Sequence, residues 1–168
     1  MIITLTGFMG CGKSSVGRCL SELLCCPFMD LDAVIEESQG RSIPDIFAAE
    51  GEAAFRQMEV EALSRIIEAQ QLRDNVIVAL GGGTVMTPDC AEIVREKTHC
   101  IYLRASVDTL VSHLENEAAG RPMLQGASLR SRIEELMALR SSTYEATAHD
   151  VIDTDGKTVE EVAAEIKF

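Results

Sequence analysis

Residues 7–14, Gly7-Phe8-Met9-Gly10-Cys11-Gly12-Lys13-Ser14, satisfy the phosphate-binding pattern G-x-x-x-x-G-K-[ST]. An apolar run, Ile2 to Thr6, precedes them and reads as a buried strand; a helix-like stretch, Lys13 to Leu24, follows. Glycines at these positions allow backbone turns that a Cβ would block, so that successive N–H groups face an anion at the positive end of the helix. Lys13 then adds a point charge at the β- and γ-phosphates, and the Ser14 hydroxyl is a Mg²⁺ ligand. The plainer reading, a glycine-rich turn with a surface lysine, does not explain why strand and helix flank the motif in the required order.

A chain of 168 residues, 46% of them hydrophobic, is enough for one compact domain spanning 1–168 and too short for two ordinary ones, so a site for a second substrate must be an insertion. A formal net charge of −12 opposes non-specific attraction to nucleic acid or anionic lipid and points to a small-molecule partner. No apolar run approaches the roughly 20 residues of a membrane span, and no basic segment precedes a signal-peptide core, so a cytoplasmic protein is expected. The six cysteines show no C-x-x-C pair and no zinc-like spacing with histidine; they read as ordinary thiols of a reducing compartment.

Five strand candidates, Ile2 to Thr6, Pro27 to Asp30, Val76 to Leu80, Cys100 to Leu103 and Val151 to Asp153, alternate with helical periodicity. The alternation predicts an α/β fold, a five-stranded parallel sheet flanked by helices. Ser42 with Asp45 resembles a capping box, Thr87-Pro88 a cap before a first-turn proline, and Thr158 with Glu161 a capping box. Two segments exceed a minimal alternation. Asp32 to Gln71 contains helical pieces broken at Gly40 and Gly51, and Ala118 to Ser128 is polar and irregular. Ligands of open α/β sheets bind at the carboxyl ends of the strands, where Gly7 to Ser14, Asp30 with Asp32, and Gly81-Gly82-Gly83 all fall.

Asp30 and Asp32 read either as a helix N-cap with a neighbour, or as one carboxylate for Mg²⁺ or its waters and one for a substrate hydroxyl. Three consecutive glycines carry a large entropic cost, which backbone exposed to a ligand would explain. Arg56 is an anion-binding candidate or a solvated i,i+3 partner of Glu59. Arg140 closes a helix-like stretch, where a cation is favourable in any case. Arg121, before a proline in the irregular segment, suits a mobile lid that closes over a transferring phosphate.

Gly7 to Ser15, Phe28 to Asp32, Gly40-Arg41-Ser42-Ile43, Gly51-Glu52 with Phe55-Arg56 and Glu59, Gly81 to Gly83, Arg121-Pro122-Met123-Leu124, and Arg140 with Tyr144 occur in the order typical of shikimate kinases, which the chain resembles over nearly its whole length. The resemblance implies a nucleoside-monophosphate-kinase-like fold with a helical substrate-binding insertion at about 32–71 and a mobile lid at about 118–128. It implies transfer of the ATP γ-phosphoryl group to the 3-hydroxyl of shikimate, and nothing in the sequence requires more than a monomer. ATP contacts fall on Gly10, Cys11, Gly12, Lys13, Ser14, Ser15 and Arg121, and the Mg²⁺ site on Ser14 and Asp30. Shikimate contacts fall on Asp32, Arg56, Gly81, Gly82, Gly83 and Arg140, and catalysis on Lys13, Asp32 and Arg121.

The chain departs from the family twice. Ser112 and His113 stand near the position of an arginine that often stacks on adenine, and no proline lies between Arg140 and Tyr144. A gluconate-type kinase and a non-catalytic nucleotide-binding relative share the phosphate loop. The acidic pair and triple glycine speak against the first, and the full polar set against the second. Cys11, inside the loop, is either a small filler or a thiol activated by the loop's positive field.

Overall fold

Ile2–Thr6 forms the central strand, β1, and all five residues are buried. A strand covered on both faces reads as a continuous apolar run rather than an alternation. With β2 (Phe28–Asp30), β3 (Val76–Ala79), β4 (His99–Arg104) and β5 (Asp150–Asp153) it makes one fully parallel sheet, ordered β2-β3-β1-β4-β5. This is the computed structural model of residues 1–70, 75–115 and 128–167. The limits of β1 are those read from the sequence, and those of the other strands differ by one residue at one or both ends. Pro27, which has no N–H, lies just outside β2 and contributes only its carbonyl, which accepts from Ile77 N–H at 3.0 Å. At the edge of the sheet, Arg104 and His99 of β4 reach Asp153 and Asp150 of β5 at 2.6 and 2.8 Å, extending pairing at both ends of the strand.

Helix α1 (Lys13–Leu24) begins and ends where the sequence places it. Gly12 precedes it at φ +94° with no side-chain cap, leaving its first N–H groups to an outside acceptor. The first crossover holds α2 (Leu31–Gln39), α3 (Ile43–Glu50) and α4 (Glu52–Gln70), separated by Gly40 at φ +66° and Gly51 at φ +86°. Ser42 caps α3 through Asp45 N–H, while Asp45, one methylene shorter than glutamate, makes no return bond. A 3₁₀ turn, Thr84–Met86, leads into α5 (Pro88–Lys97), where Pro88 sits at the first turn and Thr87 gives no side-chain cap. Then come α6 (Val107–Leu114), α7 (Leu129–Thr147) and α8 (Val159–Glu165), the last opened by the complete Thr158/Glu161 capping box.

Successive strand residues point to opposite faces. Leu5 reaches Gly17 of α1, whereas the Thr4 hydroxyl meets that of Thr98, at the end of α5, at 2.9 Å. Helices α1 and α5 therefore cover opposite sides. Among the described residues no helix is long and apolar enough to cross a membrane.

Gly17 is the point where α1 closes on the sheet, and a Cβ there would overlap the edge of the Phe28 ring. Gly→Ala inside a helix ordinarily stabilises by about 1 kcal/mol. Here Gly17→Ala is expected to cost about 1–3 kcal/mol by overpacking, read as a lower midpoint in urea with unchanged slope.

Candidate active site

Ala79 of β3 pairs with Leu5 of β1 on one side and Asp30 of β2 on the other. The phosphate loop, the triple glycine and the acidic pair thus leave the sheet side by side. The loop takes the shape its glycines permit, with φ of +147° at Gly7, +84° at Gly10 and +94° at Gly12. A Cβ at Gly7 would come within 2.6 Å of the Leu103 carbonyl oxygen, and one at Gly10 within 2.7 Å of the Leu114 side chain. Lys13, only 9% exposed, donates to the carbonyls of Gly7 and Phe8 at 2.8 and 3.0 Å, with Cys11 Sγ at 3.9 Å. Cys11 is buried, and Ser15, on the first turn of α1, is exposed.

Asp30 is the helix N-cap that the sequence suggests, and one of its oxygens remains turned towards the phosphate loop. Its Oδ1 accepts from Ala33 N–H at 3.2 Å as the N-cap of α2, and its Oδ2 accepts from the Ser14 hydroxyl at 2.7 Å. Ser14 and Asp30 therefore present a hydroxyl and a carboxylate to one point beside the phosphate loop. That donor set fits Mg²⁺, which takes one or two protein oxygens, with phosphates and waters completing its shell. Among the described residues no group of three or more His, Cys, Asp or Glu is placed to hold a metal ion.

Four carboxylates crowd the site, and their partners separate them. Asp30 has two donors; Glu59, with 0% exposure, accepts from Arg56 Nη1 at 2.6 Å and from Thr84 Oγ1 at 2.5 Å; Glu36 accepts from Ile43 N–H at 2.9 Å. Asp32 accepts no hydrogen bond from a described residue. Burial first, then the charges of Asp30 and Glu59, push its carboxyl up to about 6, with Lys13 pulling the other way. Among the described residues it is the one carboxylate of the four whose oxygens accept no hydrogen bond.

Two cavities meet at Asp32. One of about 650 Å³ is lined by Gly12, Lys13, Ser14, Ser15 and Asp30, and extends to His113 and Val159. The other, about 240 Å³, is lined by Ile43, Phe47, Phe55, Arg56, Glu59 and Arg140. Asp32, Gly81 and Gly82 belong to both. A phosphate donor and an apolar-walled acceptor with cationic anchors would face each other across that junction.

Arg56 is ion-paired with Glu59 as its spacing suggests, but the pair is not solvated, since the glutamate is fully buried. Arg140 lies within α7 rather than at the end of a helix, because nothing in Ser141-Ser142-Thr143 interrupts it before Thr147. It is 6% exposed, and its Nη1 has no hydrogen-bond partner among the described residues. The triple glycine serves these side chains. None of the three has φ in the left-handed range. A Cβ would meet Asp32 Oδ1 at 2.8 Å from Gly81, Arg140 Nη1 at 3.7 Å from Gly82, and Arg56 Nη2 at 2.5 Å from Gly83. The glycines supply space more than backbone freedom. Tyr144, one turn beyond Arg140, donates its hydroxyl to the Gly82 carbonyl and holds the turn in place.

No sequence signal marks Thr84, and Glu59 stands out as a partner of Arg56 and as part of the family's pattern, with no site role assigned to it. His113, near the position where the family often has an arginine stacked on adenine, lines the larger cavity with Nδ1 at 2.7 Å from the Gly10 carbonyl oxygen; Ser112 is exposed and absent from its lining. Arg121 and residues 118–127 of the expected lid lie outside the described residues.

The sequence model of the shikimate kinase family matches residues 9–167. The chain is 42% identical over 164 residues to a shikimate kinase of Thermus thermophilus, covering 98% of this chain and 86% of that one. It is 40% identical over 167 residues to that of Symbiobacterium thermophilum, covering 99% and 94%. The structure of Acinetobacter baumannii shikimate kinase in complex with shikimate superposes with a TM-score of 0.91 at 32% identity, over 98% of this chain and 89% of that one. Likeness of this extent reaches past the phosphate loop, which many kinases share, to the segments that carry the acidic pair, the two arginines and the triple glycine: the chain belongs to the shikimate kinase family.

Proposed function

We propose that the chain transfers the γ-phosphoryl group of ATP to the 3-hydroxyl of shikimate, with Asp32 at the junction of the two cavities addressing that hydroxyl. The observation that carries this assignment is Arg140. A buried guanidinium nitrogen without an acceptor costs about 1–3 kcal/mol, a cost that an anion in the smaller cavity removes. Arg56 lines the same cavity, so the two guanidinium groups grip a carboxylate while Phe47, Phe55 and Ile43 cover a carbon ring.

In the larger cavity Gly10, Cys11, Gly12, Ser14 and Ser15 cradle the ATP phosphates, and Lys13 exchanges its loop carbonyls for phosphate oxygens. Ser14 and Asp30 hold Mg²⁺ or its waters, which neutralises charge on the phosphates. Phosphoryl transfer is driven chiefly by positioning and charge stabilisation. Asp32 orients the hydroxyl and receives its proton as the new bond forms, a task suited to a carboxyl near 6. The resemblance assigns Arg121, on a lid at about 118–128, to the transferring phosphate, and the helices of 32–71 to the acceptor. A cytoplasmic monomer remains the reading taken from the sequence, and the net charge of −12 weighs against nucleic acid and anionic membrane as partners.

The test is ADP release with MgATP on shikimate, its carboxamide, gluconate and AMP. Shikimate is expected to be turned over, and the carboxamide to lose roughly 100-fold or more in kcat/KM, because an amide brings no negative charge to the two arginines and Arg140, unlike Arg56 with its Glu59, then has no counter-charge among the described residues. Comparable rates on gluconate or AMP would favour a gluconate-type or other kinase, and no rate on any acceptor a non-catalytic relative.

Asp32→Asn is expected to preserve nucleotide affinity and lower kcat by orders of magnitude. In the wild type, kcat/KM should fall below about pH 6 as Asp32 takes up a proton. The folded protein holds that proton more tightly than the unfolded chain, whose carboxyl titrates at about 3.9, so unfolding releases it between about pH 4 and 6. Stability therefore falls as pH rises through that window, and the contribution is gone above it. Asp32→Asn should then melt higher than wild type at about pH 7.5, by roughly 1–3 kcal/mol of stability, with the gap closing towards about pH 4.

A further inference from the structure

The Thr84 hydroxyl is fully buried in the first residue of the turn after the triple glycine, 25 positions away from Glu59, and donates to Glu59 Oε2 at 2.5 Å. The other oxygen of Glu59 receives Arg56 Nη1 at 2.6 Å. Glu59 is itself fully buried, and a buried carboxylate oxygen left without a donor is costly. The geometry points to Thr84 as a positioning residue that sets the specificity of acceptor binding: by saturating one oxygen of Glu59 it fixes the other on Arg56, and so aims the Arg56 guanidinium at the acceptor carboxylate.

Three facts make this more than packing. The Thr84 hydroxyl would lie 3.1 Å, Glu59 Oε2 3.4 Å and Asp32 Oδ1 2.8 Å from a Cβ on Gly81, so threonine, glutamate and the reacting carboxylate crowd one glycine. A Glu59 side chain released from Thr84 can turn only within that space, towards a second negative charge or away from Arg56. Arg56 has one other carboxylate within reach among the described residues, Glu52 at 3.9 Å, nearly half exposed, and turning to it would draw the guanidinium away from Gly83, against which it packs. Thr84 touches neither cavity: it lines neither the nucleotide side nor the acceptor side, so its influence on substrate runs through Glu59.

This inference rests on the proposed acceptor, and the test separates the two. Wild type, Thr84→Val and Thr84→Ser are compared by steady-state ADP release with shikimate and MgATP varied in turn. Valine keeps the branched shape and removes the donor; serine keeps the donor and removes the methyl group. The expected result for Thr84→Val is a KM for shikimate raised about 10-fold or more, with kcat within about threefold and the KM for MgATP unchanged, while Thr84→Ser stays within about threefold of wild type throughout. An unchanged shikimate KM in Thr84→Val overturns the inference, as does an equal loss in both variants, which would mean packing. A Thr84→Val protein that loses MgATP affinity or melts as unfolded, beside an intact Thr84→Ser, is scored by Thr84→Ala, whose smaller side chain relieves strain; a shikimate KM unchanged there also overturns it. Wild type inactive on shikimate removes the proposed function and this inference together, whereas active wild type with unaltered Thr84→Val removes the inference alone.

Discussion

Because Ala79 is flanked in register by Leu5 and Asp30, the chain leaves three neighbouring strands at one level, and within two or three residues it has placed Gly7, Gly81 and Asp32 around a common space. Every later feature depends on that parallel register. A slip of one residue in β2 would turn Asp30 to the other face of the sheet and separate it from Ser14. Full burial of β1 and β3 holds the register, since Ile3, Leu5, Ile77 and Val78 have no solvent-facing alternative.

With the backbones fixed, the remaining difficulty is electrostatic. A site that must bind anions also concentrates Asp30, Asp32, Glu36 and Glu59. The fold resolves this by assigning donors unequally: a serine and a backbone amide to Asp30, a helix N-terminus to Glu36, an arginine and a threonine to Glu59. Asp32 receives none from the described residues and is left with a raised pKa. Its readiness to accept a proton comes first from burial and then from the charges of Asp30 and Glu59, which their own hydrogen bonds hold in place.

The phosphate loop and α1 were legible to the residue, because local chemistry fixes them: glycine conformations, a lysine at a set distance and an unbroken helical stretch. The breaks at Gly40 and Gly51 were legible for the same reason. What escaped reading depends on the return of distant chain. Thr84 and Glu59 are 25 residues apart, Tyr144 and Gly82 are 62 apart, and His113 and Gly10 are 103 apart. The triple glycine was recognised as unusual but for an incomplete reason, since a sequence does not show which side chains will press against a missing Cβ. Arg140 was recognised as a cation, yet its burial inside a continuous helix follows from the path of α7.

That buried cation has a bearing on how the protein behaves in ordinary solutions. A guanidinium with an unclaimed donor, beside a second one in a small cavity, gives the folded chain an affinity for simple oxyanions that the unfolded chain lacks. By mass action, a buffer anion at about 100 times its dissociation constant would add about 2.7 kcal/mol to the stability of the folded state. Melting temperatures of this chain would then rise with the concentration of phosphate or sulfate, and a thermal-shift screen for ligands would have its proper baseline in a buffer whose anions are too bulky to enter.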